Sequence, residues 1–337
     1  MHQAQLWTAL DGGRVHCRLC NHFCVIEQGD RGLCGVRENR GGTLFSLVYG
    51  KVAALNMDPV EKKPLYHFLP GTRTFSLGTA GCNFRCAFCQ NDSLSQSPRE
   101  RGPIQGRDVS PRELVEAALR HEAASISYTY SEPTVFFELV HDTAELAVQA
   151  GLKNILVSNG FQSPDCLDAL APLIHAANID LKSFQDAFYR ELCGARLRPV
   201  LSNLKAIKEL GWWLEVTTLV IPGHNDSPGE LADIAGFIAQ ELGADTPWHV
   251  SRFHPHHMML RTPSTPVATL ETALAAGHAA GLHHVYIGNV PGHDADNTLC
   301  PGCGCLLIRR QGFSLAEYRL DQGRCPDCGE AVAGVWS

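Results

Sequence analysis

The segment Gly81-Cys82-Asn83-Phe84-Arg85-Cys86-Ala87-Phe88-Cys89-Gln90-Asn91 carries three thiols, separated by three and then by two residues. Thiolates are the usual ligands of iron–sulfur cubes, and a cube normally takes four of them. Three ligands in one loop can hold three irons and leave the fourth open. An open coordination position is what separates a reactive metal site from a structural one. The plainer reading of the same loop is a zinc site completed by a distant fourth ligand.

The other cysteines fall into two further groups. Cys300-Pro301-Gly302-Cys303 and Cys325-Pro326-Asp327-Cys328 are paired knuckles. They have the layout of a tetrahedral zinc ribbon, four soft ligands with no vacant position. Leu306–Tyr318 would form its hairpin, and Cys305 is either a spare thiol or the ligand in place of Cys303. Rubredoxin-like iron is the alternative occupant. Cys17, Cys20, Cys24 and Cys34 form the remaining quartet. It could take zinc or an auxiliary [4Fe–4S] cluster that relays electrons; zinc is preferred here, because Gly-rich knuckles with little surrounding core need metal to fold. Cys166 and Cys193 stand alone and read as buried thiols. Cys193 in Leu192-Cys193-Gly194 could still face a cavity as a hydrogen donor. His67, beside Glu61-Lys62-Lys63-Pro64, is the other unassigned candidate for catalysis. The run His254-Pro255-His256-His257 reads as a polar rim rather than a metal site.

These side chains need elements to hold them. The pattern predicts strands at Phe75–Thr79, Ser125–Tyr130, Asn154–Ser158, Asn178–Lys182, Trp213–Ile221, Trp248–Phe253 and His284–Ile287. Helices are expected between them, at Pro111–Ala124, Thr134–Ala150, Pro164–Ala176, Val200–Leu210, Pro228–Leu242 and Leu270–Gly281. Ser110-Pro111 and Ser227-Pro228 supply start signals of the N-cap and first-turn type. Such alternation means βαβ units on a parallel sheet. With no Gly-x-Gly-x-x-Gly after the first strand, a partial or full (β/α) barrel is favoured over a dinucleotide-binding sheet, and its chemistry belongs on the loops that follow the strands. The chain then divides into a Cys-rich metal-binding module (1–45), a connector (46–71), the α/β core (72–290) and a zinc-ribbon-like module (291–337). Leu44–Leu55 reads as a strand or hairpin, and two prolines should keep the segment from Asp58 to Pro64 irregular.

Composition narrows the classes. The chain has 337 residues, 45% of them apolar and 19% charged, with a net charge of −7, which excludes a disordered polyelectrolyte and argues against a nucleic-acid or membrane binder. No apolar run reaches the length of a membrane span, and the N-terminus has no signal-peptide layout. Fourteen cysteines in a long chain without an export signal point to metal rather than disulfides, and so to the cytoplasm.

The triad spacing, with an aromatic before the third cysteine, resembles the signature of the radical S-adenosylmethionine (SAM) superfamily. Further matches follow in chain order: Tyr128-Thr129-Tyr130-Ser131-Glu132-Pro133-Thr134, Val157-Ser158-Asn159-Gly160-Phe161, Asp180-Leu181-Lys182, Val216 to Gly223, and Tyr286-Ile287-Gly288-Asn289-Val290. The resemblance implies that Cys82, Cys86 and Cys89 hold a [4Fe–4S] cluster. It places Phe88, Glu132, Ser158, Asn159, Asp180, Lys182, Thr217, Asn289 and Val290 around SAM. Glu132 could equally cap the next helix, and Asp180 with Lys182 could be only a rim ion pair. The paired glycines usual after the second strand are missing. The closest likeness is to the radical SAM protein of the AmmeMemoRadiSam system, a family related to pyruvate formate-lyase activating enzymes. It rests on Cys17-x2-Cys20-x3-Cys24-x9-Cys34-Gly35-Val36-Arg37, on Asp58 to Phe68, and on the triad. Asn21 departs from it, where proline is expected. The likeness implies SAM cleavage to a 5′-deoxyadenosyl radical that abstracts hydrogen, with a partner protein's backbone glycine as one target, fed by flavodoxin or ferredoxin, with Memo-type and AMMECR-type partners. Competing readings are a radical enzyme acting on a small molecule or side chain, and a non-catalytic zinc-stapled binding protein.

Overall fold

A computed structural model describes residues 2–100 and 104–337. Its centre is a nine-stranded sheet. We number its longer strands β1 (Lys51–Pro59), β2 (Arg73–Thr79), β3 (Ser125–Tyr128), β4 (Lys153–Ser158), β5 (Ala176–Asp180), β6 (Trp213–Val220), β7 (Trp248–Arg252) and β8 (Val285–Gly288). From β2 to β8 each strand lies parallel to its predecessor, in sequence order. β1 runs antiparallel to β2, and the two-residue strand Arg107–Asp108 closes that side. Among the described residues β8 has no partner beyond β7, so the expected partial or full barrel is resolved as the open form.

Helices α1 (Pro111–Arg120), α2 (Phe137–Gln149), α3 (Pro164–Leu170), α4 (Leu197–Glu209), α5 (Pro228–Phe237) and α6 (Val267–Ala279) connect the strands. Three of them begin with Ser-Pro, where the serine hydroxyl accepts a first-turn amide and proline occupies the first helical position. At α1 the Glu113 carboxylate also accepts the Ser110 amide, completing a capping box. Helix ends differ from expectation where tertiary contacts win. α1 stops at Arg120 because Glu122 turns left-handed (φ 54°) and the Ala124 amide bonds Arg73 of β2. α3 stops at Leu170 because Ala176 already belongs to β5.

Two expectations are corrected. The segment from Asp58 to Pro64 is not wholly irregular: Asp58 and Pro59 end β1, which pairs along β2. The stretch read as a connector therefore supplies a strand to the main sheet. The first 45 residues also have more core than expected. Val15, Leu19, Ile26, Val36 and Leu44 are buried in one cluster with the sheet and its helices. Beneath them Arg37 and Glu138 of α2, each 1% exposed, form a buried ion pair. The Gln5 amide adds a bond to the same carboxylate.

The C-terminal segment has its own small core of Leu307, Ile308, Leu320 and Val332 with Cys300 and Cys325. It docks on residues 66–69 through the Val335 backbone and through Arg310, whose guanidinium donates to the Tyr66 carbonyl at 2.9 Å and stacks 4.0 Å over its ring. His67 and His284 are enclosed at this seam with ring centroids 4.3 Å apart. Burial holds both imidazoles neutral, His67 well below the usual range and His284 pushed down to about 4. In the unfolded chain they titrate near about 6.5. The stability they contribute is complete above about pH 6.5 and is lost as pH falls towards 4. The denaturation midpoint should drop across that window, and His284→Phe should flatten the slope; an unchanged slope would remove His284 from the account.

Candidate functional site

The loop after β2 has no regular hydrogen-bonding ladder, so other segments satisfy its backbone. The Arg85 and Ala87 amides donate to the carbonyls of Cys193 and Leu192 at 2.9 and 2.8 Å. Arg99 donates to the carbonyls of Cys82 and Phe84 at 3.0 and 2.9 Å. The Met258 amide meets the Ala87 carbonyl at 3.0 Å. Before the loop, Gly81 adopts φ 105°, and a Cβ there would lie 2.7 Å from a Val36 methyl, so only glycine fits.

Cys82, Cys86 and Cys89 all line one cavity of about 580 Å³. Every parallel strand contributes to its wall beyond its C-terminal end or near it. Tyr130, Ser131 and Glu132 follow β3; Ser158 and Asn159 close β4; Asp180 and Lys182 leave β5. Thr217 comes from β6, Ser251 from β7 and Asn289 from beyond β8. The sheet is therefore concave towards this space. Parallel α/β proteins bind ligands on this face.

Each thiol has a local donor. The Phe84 amide donates to Cys82 Sγ at 3.3 Å, with Asn159 Nδ2 at 3.8 Å, and Cys89 Sγ lies 3.2 Å from Ser95 Oγ. Burial and the Glu132 carboxylate push the Cys82 thiol well up. A bound metal relieves that penalty, because it takes the thiolate. Hydrogen bonding from Cys193 acts in the other direction on Cys86, drawing its thiol down against the effect of burial.

Glu132 is buried, and its carboxylate accepts from the Thr134 amide and hydroxyl, from Ser158 Oγ at 2.7 Å and from the Asn159 amide at 2.9 Å. It caps the turn opened by Pro133, the second of its two expected readings, and also ties the ends of β3 and β4 together. Asp180 and Lys182 pair at 2.8 Å on the cavity wall, as two side chains spaced two apart on a strand can. Burial works against the Lys182 ammonium, but Asp180 and the Cys86 and Cys193 sulfurs outweigh it and hold the amine well above its ordinary range. Its Nζ also lies 5.8 Å over the Phe88 ring. Thr217 Oγ1 bonds Asn178, and Asn289, at φ 61°, bonds Ser251 and the Arg252 carbonyl.

Other expected residues lie elsewhere. His67 is fully buried away from the cavity, where its Nε2 meets the Tyr286 hydroxyl at 2.6 Å and its Nδ1 the Ala333 carbonyl at 2.8 Å. Cys193 is also buried, packed behind Cys86 rather than lining the cavity, because the turn Tyr189–Cys193 serves as the backrest of the triad loop. Val290 is half-buried against the core and does not reach the cavity wall. His256 and His257 bind the Asp92 carboxylate at 2.9 and 3.2 Å and clamp the end of the triad loop.

Sequence reasoning missed several residues of the wall. Lys62 and Lys63 stand at it, both paired with Asp58, which also accepts from the Tyr130 hydroxyl. Phe313, at the tip of the C-terminal hairpin formed by β9 (Leu306–Gln311) and β10 (Ser314–Tyr318), completes it. No periodicity signals a hairpin tip that crosses to another module. Ser131 Oγ is buried on the wall with no hydrogen-bond partner among the described residues. With three thiols on the same wall, this is a donor set suited to a cubic cluster carrying a polar ligand.

At the C-terminus, the sulfurs of Cys300, Cys303, Cys325 and Cys328 all lie within 4.8 Å of one another, an arrangement that could hold a metal ion. Cys305 Sγ sits 3.3 Å from Cys325 Sγ but outside that quartet. Among the described residues, no helix is long and apolar enough to cross a membrane.

Residues 76–235 match the family model of the radical SAM superfamily. The chain is 46% identical over 334 residues to the uncharacterized protein MJ0808 of Methanocaldococcus jannaschii, covering 98% of this chain and 99% of that one. It is 26% identical over 147 residues to the isethionate sulfite-lyase activating enzyme of Nitratidesulfovibrio vulgaris, covering 42% of this chain and 46% of the relative. Among solved structures, a radical SAM methyltransferase from Sphaerobacter thermophilus shares the fold with a TM-score of 0.51 at 16% identity, over 71% of each chain.

Proposed function

Because residues 76–235 match the family model of the radical SAM superfamily, we propose that the chain is an oxidoreductase of the activating-enzyme type within the AmmeMemoRadiSam family. In this reading Cys82, Cys86 and Cys89 hold a [4Fe–4S] cluster whose fourth iron takes SAM. When bound, the pair supplies a one-electron reductive cleavage that yields methionine and a 5′-deoxyadenosyl radical able to abstract hydrogen. One observation carries the proposal: three thiols and the polar residues that end six further strands share one cavity.

The chain's own share is binding, orientation and exclusion of water. Asn159 and the Phe84 amide donate to the Cys82 sulfur and fix its direction. Ser131 offers an unused hydroxyl to the amino-acid end of SAM. Glu132 holds the backbone of Asn159 in place. Lys182 and Asp180 offer one charge of each sign beside Phe88. Phe313, Lys62 and Lys63 stand on the remaining side, where a substrate segment would enter. A flavodoxin or ferredoxin would deliver the electron, Memo-type and AMMECR-type proteins are the proposed partners, and zinc is proposed for the C-terminal quartet.

The test is anaerobic incubation of the reconstituted protein with SAM and dithionite. Formation of 5′-deoxyadenosine and methionine is expected, followed by a protein-centred radical signal on a candidate partner in electron paramagnetic resonance. Absence of labile sulfide and of both products overturns the proposal. Products with a modified metabolite and no protein radical would redirect it to a small-molecule substrate.

A further inference from the structure

The three cysteine groups differ in how far apart they hold their sulfurs. A single tetrahedral zinc with bonds of about 2.3 Å sets its ligand sulfurs about 3.8 Å apart. The C-terminal quartet has that spacing, with Cys300 and Cys328 at 3.5 Å and Cys303 and Cys325 at 3.7 Å. Cys82, Cys86 and Cys89 do not: their sulfurs are not all within 4.8 Å of one another. This wider setting suits a cube, whose ligands each stand beyond a separate iron.

The N-terminal quartet follows the triad rather than the C-terminal knuckles. The chain brings Cys17, Cys20, Cys24 and Cys34 together: the Cys17 amide bonds the Cys24 carbonyl at 2.9 Å, and the other three sulfurs are all near enough to act on Cys20. Yet no three of the four lie within 4.8 Å of one another. Arg37 Nη1 reaches Cys17 Sγ at 3.6 Å. Donors to sulfur favour the thiolate, the form in which cysteine binds metal.

We propose that Cys17, Cys20, Cys24 and Cys34 hold a second [4Fe–4S] cluster, in place of the zinc that the sequence favoured. The site abuts the triad loop. A Cβ on Gly81 would come within 3.4 Å of the Cys34 carbonyl, and the His22 ring bonds the Asn83 carbonyl at 2.9 Å. Given the function proposed above, this cluster is a one-electron relay: reduced by the external low-potential donor, it is reoxidised as the same electron passes to the triad's cluster. Occupancy by a cluster does not depend on that reading.

The experiment uses the full chain carrying Cys82→Ala, Cys86→Ala and Cys89→Ala, reconstituted without oxygen and assayed for iron, labile sulfide and zinc. About four irons and four sulfides per chain are expected, with a paramagnetic signal after dithionite. Zinc at two per chain with no labile sulfide overturns the proposal. Should that variant be insoluble, the unmodified chain decides between about eight irons, as expected, and four irons with two zincs, which overturns it. A failure of the proposed enzyme function is separately visible: the unmodified chain would then keep only the iron that survives in the triple variant, and would form no 5′-deoxyadenosine.

Discussion

Cys86→Ala protein, reconstituted anaerobically, is expected to form no 5′-deoxyadenosine above a protein-free control. The loop around Cys86 is held by backbone bonds to Cys193 and Leu192, by Arg99 and by Met258, none of which involves the Cys86 thiol. The change should therefore leave the fold intact while taking away one of the three proposed iron ligands. Losing an outer partner of a metal ligand typically costs 10–100-fold, so Asn159→Ala should retain measurable turnover where Cys86→Ala retains none. Cys193 lies directly behind Cys86 and is the nearest substitute sulfur. The double variant Cys86→Ala/Cys193→Ala controls for such a replacement. Product formation in that double variant would overturn the assignment of Cys86 as a ligand.

Glu138→Ala should be strongly destabilising. Glu138 and Arg37 are each 1% exposed, and the carboxylate also accepts the Gln5 amide at 2.8 Å. Removing one member of such a pair strands a charge in the interior and costs about 3–5 kcal/mol. The guanidinium has little else to turn to: the Gln5 carbonyl at 2.9 Å and the Cys17 sulfur. Arg37→Met/Glu138→Leu should recover most of the loss, since apolar replacement of a whole buried pair is often neutral or better. Guanidinium unfolding under argon measures both. A loss below about 1 kcal/mol for Glu138→Ala would mean that water reaches the pair.

Much of the parallel sheet was legible because each strand is a short apolar or β-branched run with a helix start signal behind it. Ser110-Pro111 and Ser227-Pro228 located α1 and α5 correctly at their first residues. The ends were less legible, since they depend on where the next strand must begin, as at Leu170 and Ala176. Strand-end motifs placed Glu132, Asn159, Asp180 and Lys182 on one cavity, because strand order in this fold copies chain order. His67 misled through its neighbours. Its Glu-Lys-Lys context suggested chemistry, and Lys62 and Lys63 do line the cavity, yet His67 itself turns inward to Tyr286. The core beneath the first 45 residues was hidden because its apolar residues are scattered singly among cysteines and glycines. They become a face only when β1, β2 and α2 supply the opposite side.

Phe313 rides on a hairpin whose private interior is a handful of apolar side chains beside four converging thiols. Such a finger would keep its posture through a metal clasp formed by those thiols and through its seam with Tyr66 and His67. Unfastening the clasp would withdraw an aromatic panel from the mouth of the barrel without touching a strand of it. With a metal held there, the scope of molecules admitted to the cavity would answer to metal supply at the far end of the polypeptide.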